Sequence, residues 1–120
     1  VDYTYYDNLT RMAKECDVLI CITPGGPSTN KIVNAEVMEA LGPQGTLINV
    51  SRGSVVDEAA LIEALRSGKL GWAGLDVFEA EPAVPKALRE MSNTILLPHV
   101  GSATVQTRAA MGALTCNNLL

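Results

Sequence analysis

The chain has 120 residues, enough for one domain, and 48% of them are apolar, so a packed core is expected and disorder is not. A net charge of -4 with no Lys/Arg block argues against nucleic acid or an anionic membrane surface as partner. No apolar run approaches the roughly 18 residues of a membrane span, and no basic-then-apolar leader opens the chain.

The first six residues, Val1-Asp2-Tyr3-Thr4-Tyr5-Tyr6, read as a strand already in progress. Asp7 is placed to cap a helix that turns Leu9, Met12, Ala13 and Cys16 to one face. Residues 18–22 form a continuous apolar run of strand length, which suits a strand buried on both faces. Thr23-Pro24-Gly25-Gly26-Pro27 follows. It is either a loop whose backbone approaches a nucleotide or a plain strand-to-helix connection, and it is not a GxGxxG fingerprint. Asn34 caps the next helix, which Gly42-Pro43 ends, and residues 46–50 make the next strand. Asp57 caps a third helix with Leu61, Ile62 and Leu65 inward, stopped by Gly68.

Residues 72–77 are again a strand. The stretch 78–93 has no periodicity beyond one short helical turn over 86–91, and irregular stretches of this length are often functional. Residues 94–97 supply the last strand. The final helix starts near Ala103 and carries Val105, Ala109, Gly112, Cys116 and Leu119 at helical spacing. Strands alternating with helices predict an α/β fold, a Rossmann-like parallel sheet with flanking helices. The chain starts inside a strand pattern and stops inside a helical one, so it reads as a piece of a longer polypeptide. The three cysteines, Cys16, Cys21 and Cys116, form no CxxC and are expected to be buried, reduced thiols of a cytoplasmic protein.

Ligands of open α/β sheets bind outside the carboxyl ends of the strands. Thr23, Arg52, Asp76 and His99 all follow predicted strand ends and are expected at one common edge. Arg52 offers a planar fork suited to a carboxylate; alternatively it is a surface residue pairing with Asp57 or Glu58. His99 is the only histidine, and it stands between a proline and a Gly-Ser pair at a helix start. Its side chain is the one suited to proton exchange near neutrality. Asp76 either accepts from a ligand amide or caps a neighbouring turn. Glu79 and Glu81 both lie on the irregular stretch, and composition does not choose between them.

Four segments together resemble a known family. They are Asp17-Val18-Leu19-Ile20-Cys21-Ile22-Thr23-Pro24, Leu47-Ile48-Asn49-Val50-Ser51-Arg52-Gly53-Ser54-Val55-Val56-Asp57-Glu58, Gly74-Leu75-Asp76-Val77-Phe78 through Glu81-Pro82, and Leu97-Pro98-His99-Val100-Gly101-Ser102-Ala103-Thr104. In this order they resemble the D-isomer-specific 2-hydroxyacid dehydrogenases, most closely the glyoxylate/hydroxypyruvate reductases. The resemblance implies that residues 1–120 are the second half of a doubly wound NAD(P)-binding domain, an incomplete one. It implies a parent enzyme, a homodimer, that interconverts small 2-oxo acids and D-2-hydroxy acids with NAD or NADP.

By the same resemblance Arg52 grips the substrate, His99 is the general acid, and Glu81, rather than Glu79, holds the imidazole. Asp76 accepts from the nicotinamide carboxamide, while Thr23, Val50, Ser51, Arg52, His99, Gly101 and Ser102 line the cofactor; no metal site is implied. The family's glycine-rich loop and substrate domain have no counterpart in the sequence. The piece alone is therefore expected to bind cofactor poorly and turn nothing over. Within the same superfamily, dinucleotide-sensing corepressors keep the triad and give the alternative reading. Formate dehydrogenases carry Gln before the His, where this chain has Pro98.

Overall fold

The computed structural model describes residues 2–120. Among the described residues five α-helices alternate with four strands in the order α1 (Leu9–Lys14), β1 (Val18–Cys21), α2 (Ala35–Leu41), β2 (Thr46–Asn49), α3 (Glu58–Ser67), β3 (Trp72–Leu75), α4 (Lys86–Glu90), β4 (Thr94–Leu96) and α5 (Val105–Leu119). The strands form a single sheet in the order β1-β2-β3-β4, and every neighbouring pair is parallel. Leu19, Leu47 and Ala73 share one row of the ladder. All four strands therefore end on the same side, as the alternation of strand and helix requires.

Local chemistry sets the helix boundaries. Asn34 accepts from the Val37 N–H at 3.1 Å, and Asp57 accepts from the Ala60 N–H at 3.2 Å, each satisfying a donor that the first helical turn leaves free. α3 ends at Gly68, whose φ of 74° is the left-handed conformation that closes a helix. Leu61, Ala64 and Leu65 of α3 and Val37, Met38 and Leu41 of α2 press on Leu19, Leu47 and Leu75 of the sheet, and Ala13 of α1 joins them. This is the core.

Several expectations are corrected. Residues 2–6 are not a strand, and Val1 lies outside the described residues. Tyr3 and Tyr5 are 85% and 87% exposed, and a segment with no ladder partner leaves its amides to water. The first helix is capped by Asn8, which accepts from the Arg11 N–H at 2.9 Å, not by Asp7. The strands are not buried on both faces: β1 alternates exposed and buried, because α1, α2 and α3 cover only one side. α5 starts at Val105 behind the cap Thr104, and none of its residues is buried. Of the cysteines only Cys21 is buried, where desolvation pushes its thiol up to about 11; Cys116 is exposed. Among the described residues no helix is long and apolar enough to cross a membrane.

Candidate active site

The site grows from three connections at the carboxyl edge. The first follows β2. Asn49 is buried at the strand end, and its Oδ1 accepts from the Ser51 N–H at 3.1 Å and the Ser51 hydroxyl at 2.8 Å. Its Nδ2 donates to the Arg52 carbonyl at 3.0 Å. One amide thus holds the turn that presents Arg52. The Arg52 guanidinium donates through Nη1 to the Ser51 carbonyl at 2.6 Å, and among the described residues it has no carboxylate partner. Asp57 pairs instead with Lys31 at 3.7 Å, and Glu58 accepts from the Glu79 N–H at 3.2 Å. The surface ion pair weighed for Arg52 is absent.

Two glycines let these connections meet. A Cβ at Gly25 would lie 2.9 Å from Arg52 Cγ, so the loop after β1 rests on the aliphatic stem of the arginine. A Cβ at Gly53 would collide with the Phe78 carbonyl. The Arg52 turn and the 78–81 stretch can touch only because Gly53 has no side chain.

The second connection follows β3 and carries Glu81. One carboxylate oxygen, Oε1, accepts from the Phe78 N–H at 2.9 Å, and the other, Oε2, lies 2.7 Å from His99 Nδ1. The His99 contact, with the Phe78 amide second, holds the Glu81 carboxyl below the usual range. An ionised carboxylate only accepts, so Nδ1 carries the proton and the other ring nitrogen, Nε2, is left for a ligand. The Glu79 carboxylate lies 3.6 Å from Lys31 instead. Of the two glutamates, the geometry brings Glu81 to the imidazole.

The third connection follows β4. His99 has φ of 55° and Ser102 of 59°, both left-handed for residues that carry a Cβ. Asp76, directly after β3 and 5% exposed, accepts from the Val100 N–H through Oδ1 and from the Gly101 N–H through Oδ2, each at 2.7 Å. Asp76 therefore caps the turn after β4.

A cleft of about 980 Å³ opens between the three connections. Thr23, Val50, Ser51, Arg52, Glu81 and His99 line it, whereas Asp76, Gly101 and Ser102 do not. Exposed Ile22 and Val50 give it an apolar side, while Arg52 and the His99–Glu81 pair give it a polar one. An apolar side suits a flat nicotinamide ring, and the Arg52 fork suits an acid, so the residues present fit both groups. No cluster of His, Cys, Asp and Glu suited to a metal ion occurs among the described residues. Sequence reasoning passed over Asn49 and Gly53. The signal for Asn49 was available: an amide inside the apolar run Leu47-Ile48-Asn49-Val50 needs buried partners.

Known proteins are similar to this chain in sequence and fold. Residues 1–101 match the model of the D-isomer specific 2-hydroxyacid dehydrogenase NAD binding domain. The chain is 52% identical to hydroxyphenylpyruvate reductase of Plectranthus scutellarioides over 98% of its own length, and 50% identical to glyoxylate/hydroxypyruvate reductase A of Arabidopsis thaliana over 99%. It spans 38% of the length of each. The crystal structure of an NADPH-dependent glyoxylate/hydroxypyruvate reductase from Sinorhizobium meliloti, in complex with NADP and malonate, superposes with a TM-score of 0.96 at 57% identity. That match covers 99% of this chain and 37% of the other. The chain belongs to the D-isomer specific 2-hydroxyacid dehydrogenase family, in which it corresponds to the NAD binding domain.

Proposed function

We propose that the whole protein to which these residues contribute is an NAD(P)-dependent reductase of small 2-oxo acids, of the glyoxylate/hydroxypyruvate type. The observation that carries this reading is the 2.7 Å contact between His99 and Glu81 on the same cleft as the unpaired Arg52. Arg52 takes the substrate carboxylate in its planar fork and fixes the carbonyl beside it. His99, held at Nδ1 by Glu81, gives a proton from Nε2 to the carbonyl oxygen. A bound nicotinamide supplies the hydride that completes the alcohol. The return of the proton to Nε2 runs the reaction backwards. Glu81 keeps the imidazole turned toward the cleft.

Thr23, Val50 and Ser51 form the cofactor wall, with Gly101 and Ser102 completing it from the turn behind. The Gly101 amide is engaged by Asp76, so Gly101 contributes its bare Cα rather than a donor. The homodimer and the cytoplasmic location that the family resemblance implies are part of the same proposal.

The test is steady-state reduction of glyoxylate and hydroxypyruvate by the whole protein with NADH and with NADPH. His99→Ala should lower kcat by roughly 10²–10⁴-fold, the usual contribution of a positioned acid. Arg52→Ala should lower kcat/KM more than kcat, because it removes a grip made before the transition state. Tight dinucleotide binding with no turnover of any small 2-oxo acid would favour the corepressor reading instead.

A further inference from the structure

Three acids gather where the connections after β1, β2 and β3 come together. Asp57 caps α3, Glu58 opens it, and Glu79 lies on the stretch that carries Glu81. The Glu79 N–H donates to Glu58 Oε2 at 3.2 Å, which holds those two residues side by side. Lys31 Nζ lies 3.7 Å from Asp57 Oδ1 and 3.6 Å from Glu79 Oε1. Among the described residues no other cation pairs with any of the three acids. Lys31 follows β1, so one side chain spans from the first connection to the second and the third.

Its backbone is as particular as its position. Lys31 has φ of 52°, a left-handed conformation that glycine takes without steric cost and other residues do not. The Lys31 N–H donates to the Ser54 carbonyl at 2.7 Å, and Val33 bonds to Val55 and Asp57 at 3.1 and 3.0 Å. Residues 31–33 are thereby fixed to the segment that follows Arg52, and the lysine side chain leaves from a firm base. The stretch it reaches has no such base. Residues 79–83 are all exposed, so packing does not hold them, and the bond from the Ala83 N–H to the Ala80 carbonyl only closes the stretch on itself. Its ties outward are polar: Glu79 to Glu58 and Lys31, and Glu81 to His99. Without the lysine, three neighbouring carboxylates face one another uncompensated, and repulsion drives Glu79 outward. Glu81 is two residues away.

We propose that Lys31 is a positioning residue for Glu81 and His99, acting through Glu79. It latches residues 78–83 to the segment after Arg52, so that the acid and the substrate grip keep a fixed spacing across the cleft. Lys31 itself does not line that cleft. The proposal rests on the reading of His99 as the acid of the site.

Two variants separate the charge from the backbone. Lys31→Gly suits the left-handed conformation but lacks the ammonium, whereas Lys31→Arg keeps a cation there. In the whole protein, Lys31→Gly should lower kcat for the 2-oxo acid by roughly three-fold or more, the scale of two partly exposed ion pairs. The KM values for acid and cofactor should change by less than about two-fold. Lys31→Arg should restore roughly half or more of the lost kcat. Lys31→Gly combined with Glu79→Gln should lose less than the product of the separate losses, because both break one contact. Amide hydrogen exchange at Phe78 and Glu79 needs no turnover: protection should fall with Lys31→Gly and return with Lys31→Arg. Unchanged kcat or unchanged exchange in Lys31→Gly would overturn the proposal. So would a loss carried by KM, an Arg variant no better than the Gly one, or independent losses in the double variant. If the unsubstituted protein reduces no 2-oxo acid, the reading of function fails alone, and the exchange measurement still decides the latch.

Discussion

The two faces of the sheet are built from the same four strands, and alternate residues of one strand meet opposite fates. Leu19, Leu47, Ala73 and Leu75 are buried beneath α1, α2 and α3. Their immediate neighbours Ile20 and Trp72 are 54% and 55% exposed, Ile95 of β4 is 72% exposed, and Val18, Ile22 and Leu97 stand open with them. Both sets are apolar, yet only one has a layer over it. Parallel strands with apolar side chains on both faces are a pattern of sheets covered on both sides. A bare patch of this kind is a surface for association. The outer edge of β1 adds to it, since among the described residues β1 pairs only with β2.

Truncation on each face should separate the two most sharply. Leu47→Ala, at a site with no exposure, should cost about 2–5 kcal/mol in denaturant unfolding through lost burial and a cavity. Ile20→Ala on the bare face should stay within about 0.5 kcal/mol. Equal losses at the two sites would mean that the bare face is covered in solution. Gly53→Ala comes next. Its Cβ must displace the Phe78 backbone, so about 1–3 kcal/mol should be lost, together with activity of the whole protein. A variant with unaltered stability and activity would show that the two connections are not tied at Gly53.

Asn49→Ala strips the covered face of its one buried amide and orphans three partners around Ser51 and Arg52. A cost of about 1–3 kcal/mol is expected. In the whole protein the KM for the 2-oxo acid should rise more than that for cofactor, since the turn that fails is the one presenting Arg52. On the bare face the paired substitution Ile20→Lys and Ile95→Lys should leave stability within about 0.5 kcal/mol and lower self-association. Light scattering that shows no concentration dependence before substitution would refute the association.

Period and punctuation made much of this fold legible. Asn34, Asp57 and Gly68 mark helix ends by chemistry that needs no tertiary partner, and they act as the sequence suggests. Four apolar runs separated by such helices leave little choice but a parallel sheet. What depended on a partner was not legible. The run Asp2 to Tyr6 has strand composition and no neighbour to pair with. An apolar run such as Val18 to Cys21 states that both faces are apolar but not that both are covered. At the site, Arg52 and His99 are conspicuous by residue type and position. The preference for Glu81 over Glu79 came from family resemblance alone, because it turns on the Phe78 amide and the Lys31 ion pair, which only folding brings near. Nothing in the sequence marks His99 as left-handed.

The smallest effect concerns neither face but the rim where they end. Glu81 and His99 are both partly open to solvent there, with side chains 33% and 45% exposed, so water and salt screen their pairing. The hydrogen bond from His99, with the Phe78 amide behind it, lowers the Glu81 carboxyl below its unfolded value of about 4.3. A group whose folded value is depressed stabilises the fold above the unfolded value, and that contribution is lost as pH falls through the folded one. Glu81→Gln cannot follow this course, having no proton to lose. The melting temperature of the original protein should therefore exceed that of the Gln variant at neutral pH. The gap should narrow as pH drops below about 4.3 and shrink further in high salt. Truncations at Leu47 and Ile20 should show no such dependence, because neither side chain titrates. A gap that stays constant down to strong acid would mean that Glu81 is held by packing and not by its charge, and the rim would then belong to the covered face.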